Sequence, residues 1–313
     1  MKLRIGTRGS MLARAQAADV ALRLEGLGHE TETVVISTAG DRQTDRAFAD
    51  VGAFGIFVRE IEAALLDGRV DVAVHSYKDL PSRSPAGLVI AAVPERVDVA
   101  DLLLARPHAV DAGGGALPLC RGARVGTSAA RRQALLRQLR PDLDVGQLRG
   151  NVPTRVRSLA EGRFDAVVLA AAGVARLELV MDAMSPLVPA DVVRTRLDPD
   201  VFVPAPAQGA IAVQVRADAP AVREAVARID DPRTSRALRA ERAVLALAEG
   251  GCTLPFGAWC RERADGMLHL VSVLGREDGT VARTEVTGDD PEAVAAAGWR
   301  ALSATVMRGE GVA

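Results

Sequence analysis

The sequence has few aromatic residues and almost no lysine. Its 313 residues include two Trp, one Tyr and six Phe, too few for the stacking platforms that bind single-stranded nucleic acids. Lys2 and Lys78 are the only lysines among 39 Lys plus Arg residues, which are balanced by 40 Asp plus Glu. This near-neutral charge excludes a general nucleic-acid coat and a basic membrane-surface binder. Neither nucleic acid nor a membrane is therefore an expected partner.

Cysteine is also scarce, and long apolar runs are missing. Cys120, Cys252 and Cys260 are an odd number of cysteines and too few for a disulfide scaffold of this length. No apolar run approaches the roughly 18 residues that suggest a membrane span, and no apolar segment of a secretory signal follows Lys2. These absences predict a cytoplasmic protein with reduced thiols. Without a large exposed apolar stripe, we expect a monomer.

Hydrophobic residues are abundant, at 49% of the chain, and their spacing alternates short strands with amphipathic helices. Strands are predicted at 2–6, 33–37, 70–75, 88–93, 144–148 and 165–172, with another from 124. A mobile polar loop is predicted at 38–50, and a helix marked by Phe57 and Ile61 is expected to end at Gly68. This βαβ order favours an α/β fold with mainly parallel sheets.

The chain is predicted to divide into three domains. Glycine-rich and proline-rich stretches separate a discontinuous first lobe (1–95 and 204–216) from a second lobe (101–195). Residues 217–313 have a different pattern, with two strands and a final helix, which predicts a smaller C-terminal α+β domain that carries Cys252.

A four-residue pattern occurs twice along the chain. Arg4-Ile5-Gly6-Thr7 and Arg124-Val125-Gly126-Thr127 each join a predicted strand to a predicted helix. Two interpretations stay open: chance similarity between two common turns, or two related lobes that each aim a helix N-terminus into a shared cleft. In the second case the unpaired N–H groups and the helix dipoles would favour an anion.

Basic residues recur where predicted strands end, which is the edge at which open α/β sheets bind ligands. A lone arginine is expected to be a solvated surface charge. Several at strand ends point instead to a ligand with several carboxylates or phosphates, because a guanidinium group matches such an anion with paired donors. Arg131 and Arg132 oppose the dipole of the helix they begin, so helix stability does not explain them. The set comprises Arg8, Arg131, Arg132, Arg149, Arg155 and Arg176.

Two further residues are candidates for chemistry. Asp79 follows Lys78 in the loop after the predicted strand at 70–75; a carboxylate among cations can stabilise a cationic intermediate or move a proton. His75 ends that strand and is expected to be packed rather than to act as a base. Cys252 follows two glycines beyond a helix C-terminus, where the dipole does not activate a thiol. Zinc binding by Cys252, Cys260 and His269 is disfavoured because no CxxC spacing is present, so no metal is expected.

These residues belong to ordered motifs that resemble the porphobilinogen deaminase (hydroxymethylbilane synthase) family over nearly the whole chain. The motifs are Arg4-Ile5-Gly6-Thr7-Arg8-Gly9-Ser10, Asp71-Val72-Ala73-Val74-His75-Ser76-Tyr77-Lys78-Asp79-Leu80-Pro81, Gly126-Thr127-Ser128 with Arg131-Arg132, Leu148-Arg149-Gly150-Asn151-Val152 with Thr154-Arg155, Ala172-Gly173 with Arg176-Leu177, Gln208-Gly209-Ala210, and Glu249-Gly250-Gly251-Cys252.

The resemblance implies two periplasmic-binding-protein-like lobes plus the smaller C-terminal α+β domain. It implies a transferase of tetrapyrrole (haem and porphyrin) biosynthesis that condenses four porphobilinogen molecules, with release of ammonia, into hydroxymethylbilane. Cys252 would hold a dipyrromethane cofactor through a thioether, and Asp79 would assist ammonia release. Cofactor contacts are implied for Ser76, Lys78, Thr127, Ser128, Arg131, Arg132 and Arg155. Substrate contacts are implied for Arg8, Ser10, Gln16, Arg149 and Arg176.

The chain departs from the family pattern at a few positions. Phe54 stands where many members have lysine, and Arg59 stands where another lysine is common. Ala129-Ala130 replaces a more usual Ser-Leu pair, which removes a hydroxyl at a helix start. Gln208 follows Pro206-Ala207 rather than a glycine, a change expected only to stiffen that segment.

Two other classes of protein are weighed against this enzyme. A non-catalytic two-lobe protein that binds small anions remains an alternative; it would carry no covalent adduct and would tolerate loss of Cys252. A ligand-sensing regulator is disfavoured because no basic recognition helix is present.

Overall fold

A computed structural model of the chain describes residues 1–37, 58–181, 186–248 and 254–309. Its strands are β1 Lys2–Arg8, β2 Glu30–Ile36, β3 Val72–Ser76, β4 Leu88–Ala92, β5 Asp101–Ala105, β6 Arg124–Gly126, β7 Asp144–Gly146, β8 Ala166–Ala170, β9 Val193–Arg196, β10 Ile211–Arg216, β11 Phe256–Glu262, β12 Leu268–Gly275 and β13 Val281–Gly288. Its α-helices are α1 Met11–Glu25, α2 Arg59–Leu66, α3 Ala130–Leu139, α4 Val152–Ala160, α5 Ala171–Glu178, α6 Pro220–Ala227, α7 Pro232–Leu247 and α8 Pro291–Gly309. None of the helices in these ranges is long and apolar enough to cross a membrane.

The described chain forms two compact units. Unit 1 contains Met1–Val97 and Gly209–Arg236, and unit 2 contains Asp98–Gln208 and Ala237–Ala313. Unit 1 is built on a five-stranded sheet in the order β2-β1-β3-β10-β4, and unit 2 on a five-stranded sheet in the order β7-β6-β8-β5-β9. The prediction of an α/β fold with two lobes is confirmed.

Both sheets are mixed rather than mainly parallel. In unit 1, β1 pairs in parallel with β2 and β3, but β10 is antiparallel to β3 and β4. In unit 2, β6 is parallel to β7 and β8, and β5 is antiparallel to β8 and β9. Strands β5 and β10 are the first strands after the chain enters or re-enters a unit.

The four-residue repeat marks equivalent positions in the two sheets. Ile5 pairs with Val72 on β3, and Val125 pairs with Ala166 on β8. The backbone N–H groups of Arg4 and Arg124 donate to the carboxylates of Asp71 and Asp165, at 2.9 and 2.8 Å. Each aspartate N–H donates in return to the arginine carbonyl, at 2.8 and 2.9 Å. Chance similarity of two turns does not produce this shared register, so the repeat belongs to the fold.

The glycine of the repeat is closely packed against a side chain in both units. A Cβ atom added at Gly6 would lie 3.0 Å from Val70 Cγ2, and one added at Gly126 would lie 2.9 Å from Phe164 Cγ. Val70 and Phe164 directly precede Asp71 and Asp165, the aspartates that accept hydrogen bonds from the arginines of the repeat. Both glycines therefore let a side chain that leads into the central strand lie directly on the neighbouring strand.

The smaller C-terminal sheet, β11-β12-β13, is antiparallel and packs on both faces within unit 2. Leu268 and Leu270 on β12 join a core with α7 and α8, whereas Val271 and Val273 join the core of the five-stranded sheet. This alternation follows from the two-residue period of a strand. A smaller C-terminal α+β domain is therefore present, and the three predicted domain boundaries stay a prediction.

The remaining segment predictions have mixed outcomes. The helix expected to end at Gly68 is α2, and Gly68 has φ +68°. Strands β5 and β9 had no counterpart among the predicted strands. Phe57 and the predicted loop at 38–50 lie outside the described residues.

Candidate active site

In unit 1 the predicted site residues lie at the carboxyl edge of the β1-β3 pair. Arg8 is the last residue of β1, and Ser76 is the last residue of its parallel neighbour β3. Ser10 caps α1 at the same edge, since its Oγ accepts a hydrogen bond from Ala13 N at 3.3 Å. The buried amide of Gln16 exchanges hydrogen bonds of 2.9 and 3.0 Å with Ser76 Oγ. The fold thus brings the first turns of α1 to the end of β3.

Lys78 and Asp79 lie on a short 3-10 turn, Tyr77–Asp79, that directly follows β3. The turn is held at both ends: Tyr77 N donates to Ala210 O at 3.0 Å, and Leu80 N donates to Tyr77 O at 3.2 Å. Leu80 is buried, whereas Asp79 is exposed. An exposed carboxylate therefore stands on a fixed backbone at a strand end, a position in which open α/β sheets place functional groups.

His75 is packed inside unit 1, as the sequence predicted. Its Nε2 lies 3.1 Å from Oε1 of the buried Gln214 on β10, and Gln214 Nε2 donates to Glu62 Oε1 on α2 at 3.1 Å. Burial lowers the pKa of His75 to about 4, against a smaller opposing effect of the Gln214 hydrogen bond. Burial raises the pKa of Glu62, again opposed by Gln214. The ring is neutral at physiological pH and belongs to the core rather than to the chemistry.

In unit 2, hydrogen bonds join the ends of β6 and β7. Thr127 N donates to Gly146 O at 2.9 Å, and Ser128 Oγ donates to Leu148 O at 2.6 Å. Asn151 Oδ1 caps α4 by accepting from Thr154 N at 3.0 Å. These contacts place the predicted residues Thr127 and Ser128 beside the turn that leads into α4.

The cations of this edge have different surroundings. Arg155 Nε donates to Gly150 O at 2.7 Å, which ties the first turn of α4 to the preceding loop. Arg149 is exposed and lines a cavity of about 470 Å³ with Thr154 and Ser158. Arg176 lies in the last turn of α5, where a cation also favours the helix dipole. The fold therefore groups Arg149 and Arg155, while Arg176 lies further along its helix.

Arg131 and Arg132 on α3 are almost fully buried, each 5% exposed, around the carboxylate of Asp101. Arg132 donates to Asp101 Oδ1 through Nε at 3.1 Å and Nη2 at 2.7 Å. Arg131 Nη2 lies 2.8 Å from Asp101 Oδ2, an ion-pair distance, although Oδ2 accepts no hydrogen bond within the described ranges. Each arginine also donates to one backbone carbonyl, of Val203 at 2.7 Å and Val168 at 2.8 Å.

Asp101 is fully buried, and sequence reasoning missed it. Burial alone would raise its pKa, but the charges of Arg131 and Arg132, with hydrogen bonds from Arg132 and Gln208, lower it to about 2. Gln208 Nε2 donates to Asp101 Oδ1 at 3.0 Å. The available signal was an acidic residue directly before the apolar run Leu102-Leu103-Leu104, because a charge at the start of a buried strand needs a partner.

The cysteines divide between described and undescribed residues. Cys252, the predicted attachment residue, lies outside the described ranges, as does Phe54. Cys260 is buried and pairs with Leu270, whereas His269 pairs with Arg261 one position along. Successive residues of a strand point to opposite faces, so Cys260 and His269 do not share a zinc site. Within the described ranges no group of three His, Cys, Asp or Glu side chains is suited to a metal ion.

Two departures from the family pattern have local consequences. Ala129 is the N-cap of α3 and supplies no side-chain hydrogen bond, so the hydroxyl expected there is missing. Ala207 is buried at φ +60°, in the left-handed region. The expectation that Ala207 only stiffens its segment is therefore wrong, because a Cβ atom strains this conformation by about 1–2 kcal/mol. Arg59 is the first residue of α2.

The described residues define an α/β protein with basic and hydroxyl side chains near the carboxyl ends of strands in each unit, and with the exposed carboxylate of Asp79 on a fixed turn. Residues 3–224 match the family described as porphobilinogen deaminase, dipyromethane cofactor binding domain, and residues 236–301 match the porphobilinogen deaminase C-terminal domain. The chain belongs to the porphobilinogen deaminase family.

Individual relatives are similar over most of their length. The chain is 45% identical over 279 residues to the porphobilinogen deaminase of Syntrophobacter fumaroxidans, covering 88% of this chain and 85% of the relative. It is 44% identical over 300 residues to that of Roseiflexus castenholzii, covering 94% and 93%. Among solved structures, the methionine binding protein MetQ has a TM-score of 0.42 at 13% identity, covering 79% of this chain and 94% of that one.

Proposed function

We propose that the chain condenses four porphobilinogen molecules head to tail, releasing ammonia at each addition, to form hydroxymethylbilane for tetrapyrrole biosynthesis. Family membership supports this transferase activity. The structural observation that carries the proposal is the exposed Asp79 on the fixed turn after β3. Ammonia leaves the aminomethyl carbon of porphobilinogen and positive charge develops on the pyrrole, which a carboxylate at this strand end can stabilise.

The residues present fit a dipyrromethane cofactor with several carboxylates. Among the residues that the structure describes, the buried carboxylate paired with Arg131 and Arg132 is that of Asp101, so their cluster keeps positive charge for a ligand carboxylate. We assign Ser76, Lys78, Thr127, Ser128, Arg131, Arg132 and Arg155 to the cofactor, and Cys252 to its thioether attachment. When bound, the cofactor supplies the primer to which pyrroles are added.

Substrate carboxylates are assigned to the remaining site residues that the sequence predicts. Each porphobilinogen carries an acetate and a propionate group, so each substrate molecule needs several hydrogen-bond donors. Arg149 is exposed and lines the cavity with Thr154 and Ser158, so its paired donors are accessible to such a group. The proposed substrate-binding residues are Arg8, Ser10, Gln16, Arg149 and Arg176.

The finer assignments of state and location are also proposals. Cys120 and Cys260 are free thiols, which supports a reducing, cytoplasmic setting. We propose that the protein acts as a monomer. Native mass spectrometry of the sample described next measures this directly.

The intact mass of the purified protein tests the proposal. We expect a species heavier than the sequence by two linked pyrrole units, and Cys252→Ala removes this increment. Cys120→Ala is the matched control and keeps it. Asp79→Ala retains the increment but loses turnover on the order of 10²- to 10⁴-fold, whereas Asp67→Ala, an exposed aspartate of the same unit, stays near the parent rate.

Two results would overturn the proposal. An unmodified mass in a protein that still binds porphobilinogen reversibly favours the non-catalytic anion-binding protein. Near-normal turnover of Asp79→Ala removes Asp79 from its assigned role.

A further inference from the structure

The buried cluster of Asp101, Arg131 and Arg132 is not electrically neutral. The charges acting on Asp101 are those of the two arginines, and the charges acting on Arg131 are those of Asp101 and Arg132. One carboxylate therefore faces two guanidinium groups, and all three side chains are at most 6% exposed. An isolated buried charge is costly. A net positive charge kept in such a place needs an anion as its partner.

Asp101 is itself held from several sides. Its Oδ1 accepts from Arg132 and from Gln208 Nε2, and Gln208 Nε2 also lies 2.9 Å from Val99 O and 3.3 Å from Ala100 O. Arg132 is fixed further through Val168 O on β8, and Arg131 through Val203 O. The carboxylate thus joins the start of β5 to α3, and the sheet sets where both guanidinium groups lie.

We propose that Asp101 is a positioning residue that orients Arg131 and Arg132 and neutralises only one of their two charges, so that the pair presents a single net positive charge to a ligand carboxylate. This inference rests on the proposed function, in which both arginines contact the cofactor. It assigns to Asp101, which touches no ligand itself, the orientation and charge of the arginine pair.

The test measures cofactor loading rather than stability alone. Full-length protein is produced in cells that make no porphobilinogen, then incubated with porphobilinogen while the mass increment is followed over time. At a temperature where every variant is folded, Asp101→Asn is expected to load about tenfold to hundredfold more slowly, because released guanidinium groups are misplaced for the carboxylates. A purely structural role would lower the melting temperature without slowing loading below that temperature.

Asp98→Asn is the matched control. Asp98 lies three residues earlier in the sequence and accepts from Arg196 Nε and Nη2 at 2.7 and 2.8 Å, but it contacts neither Arg131 nor Arg132. Loading of Asp98→Asn is expected at the parent rate. Loading of Asp101→Asn at that same rate overturns the positioning role.

A second variant keeps the inference testable if Asp101→Asn does not fold. Asp101→Glu retains the negative charge and therefore the charge balance of the cluster, but its longer side chain shifts the carboxylate. We expect stability close to that of the parent with slower loading, whereas parent-like loading overturns the inference. If the parent itself acquires no mass increment, the proposed function fails, and the positioning role fails with it; a loaded parent with normally loading Asp101 variants overturns the positioning role alone.

Discussion

The two five-stranded sheets share the same arrangement of parallel and antiparallel neighbours but bury different polar groups. At the start of the antiparallel strand, unit 1 has Ile211 paired with Ser76, and unit 2 has Asp101 paired with Ala170. Further along, the polarity is reversed. Gln214 pairs with Ala73 in unit 1, where unit 2 pairs Leu104 with Val167.

The same exchange holds for the central strand. His75 on β3 occupies the position of Leu169 on β8, since both lie opposite the second residue of the antiparallel strand. Unit 1 therefore buries the hydrogen-bonded chain His75-Gln214-Glu62 and exposes Asp79 nearby in sequence, whereas unit 2 buries a cluster of one carboxylate and two guanidinium groups. The two sheets thus have equivalent backbone pairing but bury different polar side chains. The repeat sets the register of the parallel strands, whereas the side chains at a few paired positions determine which charged groups are buried.

The largest expected difference between the two units is the pH range in which acid lowers their contribution to the free energy of unfolding. The pKa of His75 lies at about 4 in the folded protein against 6.5 for the free side chain, so its stabilising contribution is complete above pH 6.5. That contribution is lost as the pH falls from 6.5 to about 4, because the unfolded chain binds the proton first. The loss amounts to about 3 kcal/mol. Urea unfolding at several pH values measures it.

The control for this effect is His75→Gln, which keeps a donor for Gln214 but does not titrate. Its free energy of unfolding should fall much less between pH 6.5 and 4. The pKa of Asp101 in unit 2 is lowered from 3.8 to about 2. Its contribution to the free energy of unfolding is therefore lost only as the pH falls below 3.8. If the free energy of unfolding falls equally for the parent and His75→Gln between pH 6.5 and 4, the stability loss in that pH range does not come from His75 in unit 1.

Asp71 and Asp165, the aspartates that bond to the arginines of the repeat, are expected to contribute unequally to stability. Asp71 accepts from Arg4 N and also from Arg4 Nε and Nη2, at 3.0 and 2.8 Å. The guanidinium group of Arg124 instead lies near Asp144, at 3.6 Å, and not on Asp165. We expect Asp71→Ala to cost about 2 kcal/mol and Asp165→Ala about 1 kcal/mol, because hydrogen bonds to a charged donor are stronger.

Chemical denaturation of both variants gives the comparison. Asp71→Asn is the control that keeps the shape of the side chain but removes its negative charge. Its free energy of unfolding should lie between those of Asp71→Ala and the parent. A larger loss for Asp165→Ala than for Asp71→Ala would show that the side-chain pair of Arg4 adds nothing to the shared backbone contacts.

The smallest effect is expected at Ala207, two residues before the chain re-enters unit 1. Glycine adopts φ +60° without strain, although it loses more entropy on folding. Ala207→Gly is therefore expected to raise the free energy of unfolding by about 1 kcal/mol or less. Ala205→Gly, a nearby position outside the left-handed region, should lower it. A lower stability of Ala207→Gly would mean that other contacts outweigh the strain.

Local sequence patterns predicted much of this molecule. The strand spacing located β1, β3 and β4, and Gly68 was expected at the end of the helix that is α2. Such features depend on the nearest neighbours along the chain, so they can be read from short segments. The ordered motifs also led to the family, which the comparisons show.

Contacts between distant segments could not be read in this way. Strand β5 was missed because its antiparallel pairing with β8 depends on a segment over 60 residues away, and the sheets were taken as mainly parallel for the same reason. Gln208 belongs to a motif of the family, but its partner Asp101 lies 107 residues away. Gln214 and Glu62 had no recognisable local signal, because their hydrogen bond joins residues 152 positions apart.

The sequence alone determined the α/β class and the position of Lys78 and Asp79 together directly after a strand. It predicted Arg149 at the end of a strand, but β7 ends at Gly146 and Arg155 lies within α4. Only the tertiary structure decided that Arg131 and Arg132 share one buried carboxylate, 31 residues from Arg132 in the chain. The physical reason is that helix and strand formation follow local periodicity, whereas the charge balance of a buried site depends on which distant side chains the sheet register brings within hydrogen-bond distance.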